Sequence, residues 1–242
     1  MEKMCRNNDQ LENEESRIRT IYARRDASGK TALYGWDRLD STYMAYRNEV
    51  AWVLAFKEVG FQDLSRLEIL DVGCGSGRWL RMLVEWGADP QRLHGVDLLE
   101  DRISRARVLS PAAMTFRVGN AGHLDYPDNT MDLAAASTVF SSILDPTIRL
   151  ALAREMNRVV RPGGWIMLFD YAVSDPRNPD TTGIRKKEIA RLFPGLKLLH
   201  TFKLIFPPPL LRLLPARLLC LAHLVEALFP WVCTHRLYML SK

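Results

Sequence analysis

Ile69-Leu70-Asp71-Val72-Gly73-Cys74-Gly75-Ser76-Gly77 runs directly into Arg78-Trp79-Leu80-Arg81-Met82-Leu83-Val84. An apolar run ending in an acid, glycines at alternate positions, then apolar residues at helical spacing predict a buried parallel strand, a tight turn and a helix N-terminus. Glycine has no Cβ, so it takes positive φ and leaves room for a ligand lying across the turn.

The spacing separates two ligand classes. A dinucleotide fingerprint, G-x-G-x-x-G, puts its third glycine three after the second, for close helix–strand packing beneath a pyrophosphate. Here that position is Arg78, the glycine falls at 77, and Asp71 stands two before the first glycine. Asp71-x-Gly73-x-Gly75-x-Gly77 resembles the first motif of the class I S-adenosylmethionine-dependent methyltransferases. An acid near the turn suits a ligand that carries an ammonium and a sulfonium and no phosphate. The resemblance implies that Asp71, Gly73, Cys74, Gly75 and Gly77 lie at the cofactor.

Length and composition fit this frame. The 242 residues suit one α/β domain with additions, and 48% hydrophobic residues can bury a sizeable core. A formal charge of +5 is mild, because 33 basic residues face 28 acidic ones. It permits an anionic partner or membrane surface, and without basic residues clustered among aromatics no nucleic-acid partner is expected. Cys5, Cys74, Cys220 and Cys233 form no C-x-x-C pair. Scattered singles suit a reducing cytoplasm, and no metal site is expected. The first residues show no apolar run after their charges, so no secretory signal is expected.

Residues 1–20 are rich in Glu, Asn and Arg, which predicts a frayed or disordered tail. An N-terminal helical cap is expected over 21–64. Within it, residues 21–35 read either as a lid over the cofactor, with Tyr22, Arg25 or Tyr34 reaching it, or as a solvated helix. Apolar spacing from Asp40 to Gly60 predicts a helix with Gly60 as its stop. Residues 65–242 form the remaining domain.

The next strand, Leu93-His94-Gly95-Val96-Asp97, ends in an acid twenty residues after Gly77. In doubly wound folds an acid at that distance sits beside the ribose, where one carboxylate accepts bonds from two vicinal hydroxyls. Asp97 could equally cap the following helix. Leu98 is expected beside it at the cofactor. After a third strand, Met114 to Gly119, the run from Asn120 to Asp132 resembles the family's adenine-contacting block, commonly G-D-A, then P-D and F-D. Asn120 replaces the usual acid, and its amide oxygen can still accept from an adenine amino group; Ala121 follows it. His123 is a base by residue type, while a lone loop histidine is also an ordinary solvent residue.

Asp132 to Ala136 is expected as a fourth strand, with Ser137 at its end and small, hydroxylated residues beyond. A helix from Arg149 to Val160 ends at Arg161-Pro162-Gly163-Gly164, and Trp165 to Phe169 is expected as the fifth strand, ending in Asp170-Tyr171. Open α/β sheets bind ligands at the carboxyl ends of their strands. Those ends are Asp71, Asp97, Asn120, Ser137 and Asp170, and together they carry more weight than any single motif. Should a base be used, Asp170, Tyr171 and His123 are candidates by position, with Asp170 first.

The loop 174–183 is turn-rich, and Arg177 there offers a grip on a carboxylate or phosphate, or is plain surface. A helix near Arg185 to Leu192, a strand near Leu198 to Phe206 and a final strand at Arg236 to Leu240 complete the family pattern. The expected fold is a doubly wound, Rossmann-like seven-stranded sheet, mostly parallel with an antiparallel last strand. Inside it, residues 207–234 form an apolar insertion. Pro215, Arg212, Arg217 and Glu226 interrupt it before about 20 apolar residues accumulate, so it is no clean membrane span. A substrate-pocket cap, a homodimer surface, an interfacial membrane helix and plain core remain open readings.

The expected function is methyl transfer from S-adenosylmethionine to oxygen, nitrogen or carbon of a small, apolar or aromatic acceptor, in the cytoplasm or at a membrane periphery. Quinone or lipid methylation at a membrane surface is the nearest alternative. A nucleotide-cofactor oxidoreductase and a non-catalytic cofactor-binding or membrane-docking protein are the rivals from other classes.

Overall fold

The computed structural model describes residues 2–29, 37–120 and 122–242, with side chains omitted for residues 2–9 and 216. In chain order, two helices come first, α1 (Glu2–Ala27) and α2 (Leu39–Glu58). Then β1 (Ile69–Val72), α3 (Arg78–Glu85), β2 (Leu93–Asp97), α4 (Glu100–Leu109) and β3 (Thr115–Val118) alternate. They are followed by β4 (Met131–Ser137), α5 (Pro146–Val159), β5 (Val160–Tyr171), α6 (Lys186–Leu192) and β6 (Lys197–Leu204). Two short helices, α7 (Pro208–Leu211) and α8 (Leu219–Leu228), precede the last strand, β7 (His235–Ser241).

The strands form one seven-stranded sheet in the order β3-β2-β1-β4-β5-β7-β6. Only β7 runs against the rest, wedged antiparallel between β5 and β6. The expected topology is therefore present, and the order reverses at β1, which lies between β2 and β4. Such a switch point opens a crevice at the carboxyl ends of the strands.

Side chains on the central strands alternate between two cores. Leu70, Ala134, Ile166, Leu168 and Tyr238 face α5 and α6, whereas Ile69, Leu133, Met167, Leu237 and Met239 face the opposite layer with α2, α3 and α4. Helices on both faces explain why β1 is buried at every position and reads as a continuous apolar run.

Where a frayed tail is expected over residues 1–20, α1 runs as one helix over Glu2–Ala27. Its composition is polar, but Leu11 and Ile18 pack on the core beside α5, and Glu14 is buried. The polar residues find partners on distant loops, which local composition cannot register. The helical cap expected over 21–64 is thus split between the end of α1 and α2. Between β6 and β7 the chain forms α7, α8 and short turns. No helix among the described residues is long and apolar enough to cross a membrane.

Candidate functional site

A cavity of about 210 Å³ opens at the carboxyl ends of β1, β2, β3 and β4, and α1 forms its outer wall. Gly73 and Gly75 line it from the turn after β1, Asp97 and Leu98 from the end of β2, Asn120 from beyond β3, and Ser137 from the end of β4.

The three glycines do different work. All have positive φ, at +72°, +53° and +74° for Gly73, Gly75 and Gly77. A Cβ on Gly75 would meet no protein atom within 4 Å, so this glycine keeps the turn open on the cavity side. A Cβ on Gly77 would lie 2.9 Å from the Phe116 ring, which makes its smallness a packing requirement between α3 and β3. Gly73 sits against Val139, whose Cγ2 would lie 2.3 Å from an added Cβ. The turn is pinned to β2, because Gly73 and Cys74 both donate to the Val96 carbonyl, at 2.7 and 3.0 Å.

Asp97 joins the turn to the end of β2. Its Oδ2 accepts from Gly75 N at 2.8 Å and its Oδ1 from Leu99 N at 2.9 Å. Burial pushes its carboxyl up, and those two N–H groups work against the rise. Two backbone bonds leave lone pairs on both oxygens for further donors. The cap-like bond to Leu99 and the cavity position coexist in one residue.

Asn120 is engaged at both ends of its amide. Its Oδ1 accepts from Gly122 N at 2.7 Å, and its Nδ2 donates to Glu15 Oε1 at 2.6 Å. The amide oxygen expected to meet an adenine amino group therefore already holds one bond and has one lone pair in reserve.

The α1 wall is the part of the site that sequence reading missed. Leu11, Glu14, Glu15, Ile18 and Tyr22 line the cavity, and only Tyr22 had been singled out. Glu14 accepts from Arg17 and, at 2.6 Å, from Leu144 N, while Arg17 donates to the Ser142 carbonyl at 2.6 Å. Burial opposes the Glu14 charge, but the Arg17 guanidinium and the Leu144 N–H more than offset it and hold the carboxyl below its ordinary range. Further along, Arg102 stacks over Tyr22 at 4.7 Å and Arg24 pairs with Asp180 at 2.5 Å. The weak signal in the sequence was Leu11 and Ile18 at helical spacing; their acidic neighbours read as solvated.

Past β4, Thr138 adopts φ +57°, a left-handed conformation that costs a β-branched residue of order 1–3 kcal/mol. Its N–H donates to Phe169 O at 2.7 Å, and the bend turns Val139 toward Gly73. Thr138, Val139 and Ser142 all line the cavity.

Several expected residues stand elsewhere. Asp170, the first-ranked base, is 2% exposed and does not line the cavity. Its Oδ2 accepts from Ser141 N at 3.1 Å and its Oδ1 from Tyr171 N at 2.8 Å, so it fixes the loop after β4 from within. Tyr171 packs on His235 with ring centroids 4.1 Å apart, and His123 is exposed; neither lines the cavity. Asp71 is buried behind the turn, where burial first and Asp97 second push its carboxyl well up. Cys74 points into the core, where a Cβ on Gly95 would lie 2.8 Å from its Sγ. Tyr34 and Ala121 lie outside the described residues.

The described lining carries Glu14, Glu15 and Asp97 against one cation, Arg102. Arg78 faces away and pairs with Glu49 at 2.8 Å. An acidic crevice with no cation at the glycine turn suits a cationic ligand and repels a pyrophosphate. The open face at Gly75 and the free lone pairs of Asp97 accordingly fit S-adenosylmethionine.

The family described as methyltransferase domain matches residues 69–164. A demethylmenaquinone methyltransferase of Bacillus licheniformis is 30% identical over 103 residues, which are 42% of this chain and 43% of that protein. The 2-methyl-6-phytyl-1,4-hydroquinone methyltransferase of Synechocystis is 31% identical over 112 residues, 45% of this chain and 33% of that one. The chain thus spans less than half the length of these two curated relatives. Among solved structures, an S-adenosylmethionine-dependent methyltransferase from Mesorhizobium loti superposes with a TM-score of 0.58 at 20% identity, covering 78% of this chain and 96% of that one. The [4+2]-cyclase SpnF superposes with a TM-score of 0.56 at 18% identity, covering 79% and 80%. Residues 69–164 thus match a methyltransferase domain, and the sheet has the fold of a solved S-adenosylmethionine-dependent methyltransferase.

Proposed function

We propose that the protein is an S-adenosylmethionine-dependent methyltransferase for a small acceptor of apolar or aromatic character. The observation that carries this reading is the acidic cavity at the switch point, with Gly75, Asp97, Asn120 and Ser137 converging on it. In this reading Asp97 holds the ribose hydroxyls, the reserve lone pair of Asn120 faces the adenine, and the open turn at Gly75 gives the ligand backbone contact. Bound there, the cofactor supplies an activated methyl group on a sulfonium that is already a good leaving group.

The chain's remaining task is positioning. Holding reactants in line is worth roughly 7–11 kcal/mol of barrier, so no strong base is required. Val139 and Ser142, placed by the strained Thr138, and Ile18 on α1 form the walls that exclude water and align the acceptor. A prenylated quinone or hydroquinone is the favoured acceptor class, because the relatives that match residues of this domain include enzymes named for such acceptors.

Calorimetric titration with S-adenosylmethionine, S-adenosylhomocysteine and NAD tests the cofactor. Saturable binding of the two sulfur compounds and none of NAD is expected; binding of NAD alone would sink the reading. Since the same fold also hosts a cyclase, turnover is tested separately, with methyl-labelled cofactor and apolar quinols. Cofactor binding without transfer to any of them would favour the non-catalytic alternative.

A further inference from the structure

The outward face of residues 207–234 has its amphipathic pattern reversed. In α8, Ala222 and Glu226 face inward, while Leu221, Leu224 and Leu228 stand 45%, 51% and 58% exposed on the opposite side of the helix. Leu210, Leu213, Phe229 and Trp231 extend the apolar surface, with Leu213 78% and Trp231 67% exposed. A helix that turns its leucines to water and its one acid to the interior is inconsistent with a face meant for solvent.

Charge on this face has a single sign. The segment's ionisable residues are Arg212, Arg217, His223 and Glu226, apart from Cys220 and Cys233. Glu226 is 4% exposed and held by Arg47 Nε at 2.7 Å, Phe206 N at 2.7 Å and Tyr43 Oη at 3.1 Å. Arg217 is exposed, and Arg212 is only partly covered by its pair with Asp40. Leucine and aromatic side chains bordered by arginine, with no exposed carboxylate in the segment, match the acyl boundary and anionic headgroups of a bilayer. A two-fold contact between copies of this chain would set the arginine-bearing faces against each other, which disfavours that occupant.

Placement adds a reason. The segment leaves the sheet after β6 and rejoins it at β7, where Thr234 N donates to Ile205 O and Ala172 N to Thr234 O. That is the end of the sheet at which the cavity opens.

We propose that this face docks the protein on an anionic phospholipid bilayer. The docking stands apart from the methyl-transfer reading and does not require it. The test is co-sedimentation of the full chain with vesicles of phosphatidylcholine, alone or mixed with phosphatidylglycerol. Binding to the mixed vesicles is expected to exceed binding to neutral ones by roughly tenfold, and to fall by a similar factor in Leu213→Glu, Trp231→Glu and Arg217→Glu. These side chains lie at the surface, so melting temperature and S-adenosylhomocysteine affinity should match the parent's, which separates lost docking from lost fold or lost cofactor site. Absence of vesicle binding, or binding indifferent to all three substitutions, would overturn the proposal. A concentration-dependent dimer abolished by the same substitutions, without vesicle binding, would assign the face to a second copy instead.

Discussion

Asn120 Nδ2 donates to Glu15 Oε1 at 2.6 Å, joining the end of β3 to the first helix across 105 residues of chain. A strand end expected to meet the cofactor is thereby also a latch for the wall that closes over it. Side-chain hydrogen bonds to a charged group are worth about 1.5–3 kcal/mol. Glu15→Ala should therefore loosen α1 and weaken S-adenosylhomocysteine binding several-fold, as read by calorimetry, with little change in global melting. Unaltered affinity would mean that α1 is no part of the site.

Asp97 ties the glycine turn to the end of β2 through Gly75 N and Leu99 N. Asp97→Ala removes both bonds and the carboxylate, and cofactor affinity should fall at least about tenfold. Asp97→Asn retains an acceptor and should lie between. Equal affinities in all three proteins would defeat the ribose assignment.

Gly75 and Gly77 should part company on substitution. Gly77→Val forces a branched Cβ against Phe116 in a left-handed backbone, and urea unfolding should show a loss of roughly 2–4 kcal/mol. Gly75→Val carries the backbone strain but meets open space, so a folded protein that no longer binds the cofactor is expected. Reversal of the two phenotypes would show that the turn faces the other way.

Burial pushes the Asp170 carboxyl up to about 6, against the pull of the Ser141 and Tyr171 N–H groups toward the ionised form. A carboxyl raised on folding contributes stability that is complete in acid, below its ordinary range, and is lost as pH rises through about 6. The melting temperature of the parent should therefore fall relative to that of Asp170→Asn between about pH 4 and pH 6. Parallel curves would show that the group does not titrate there.

Arg47 and Glu226 lie 2.7 Å apart with side chains 10% and 2% exposed, and they bind the apolar insertion to α2. Removing one partner of a buried pair costs about 3–5 kcal/mol, because the other charge stays behind uncompensated. Glu226→Ala should destabilise by that order in a denaturant titration, and Arg47→Met with Glu226→Leu by much less. A mild effect of the single change would mean that water reaches the pair.

The alternation of strands and helices and the positions of Asp97, Asn120 and Ser137 at the strand ends are legible in the sequence. Each depends on short-range rules: apolar runs, turn glycines and helix spacing repeat within about ten residues. The sequence alone thus determined the doubly wound sheet and the end of it at which a ligand would sit. Tertiary structure alone decided which groups face the cavity. Gly75 opens on the cavity while Gly77 accommodates Phe116, two glycines with the same local signature. Asp170 has the sequence position of a base, yet packing turns it onto Ser141 and Tyr171. A polar first helix became a wall because Glu14, Glu15 and Arg17 find partners more than a hundred residues away. Such contacts join segments whose local patterns carry no mark of one another, and only the folded chain brings them together.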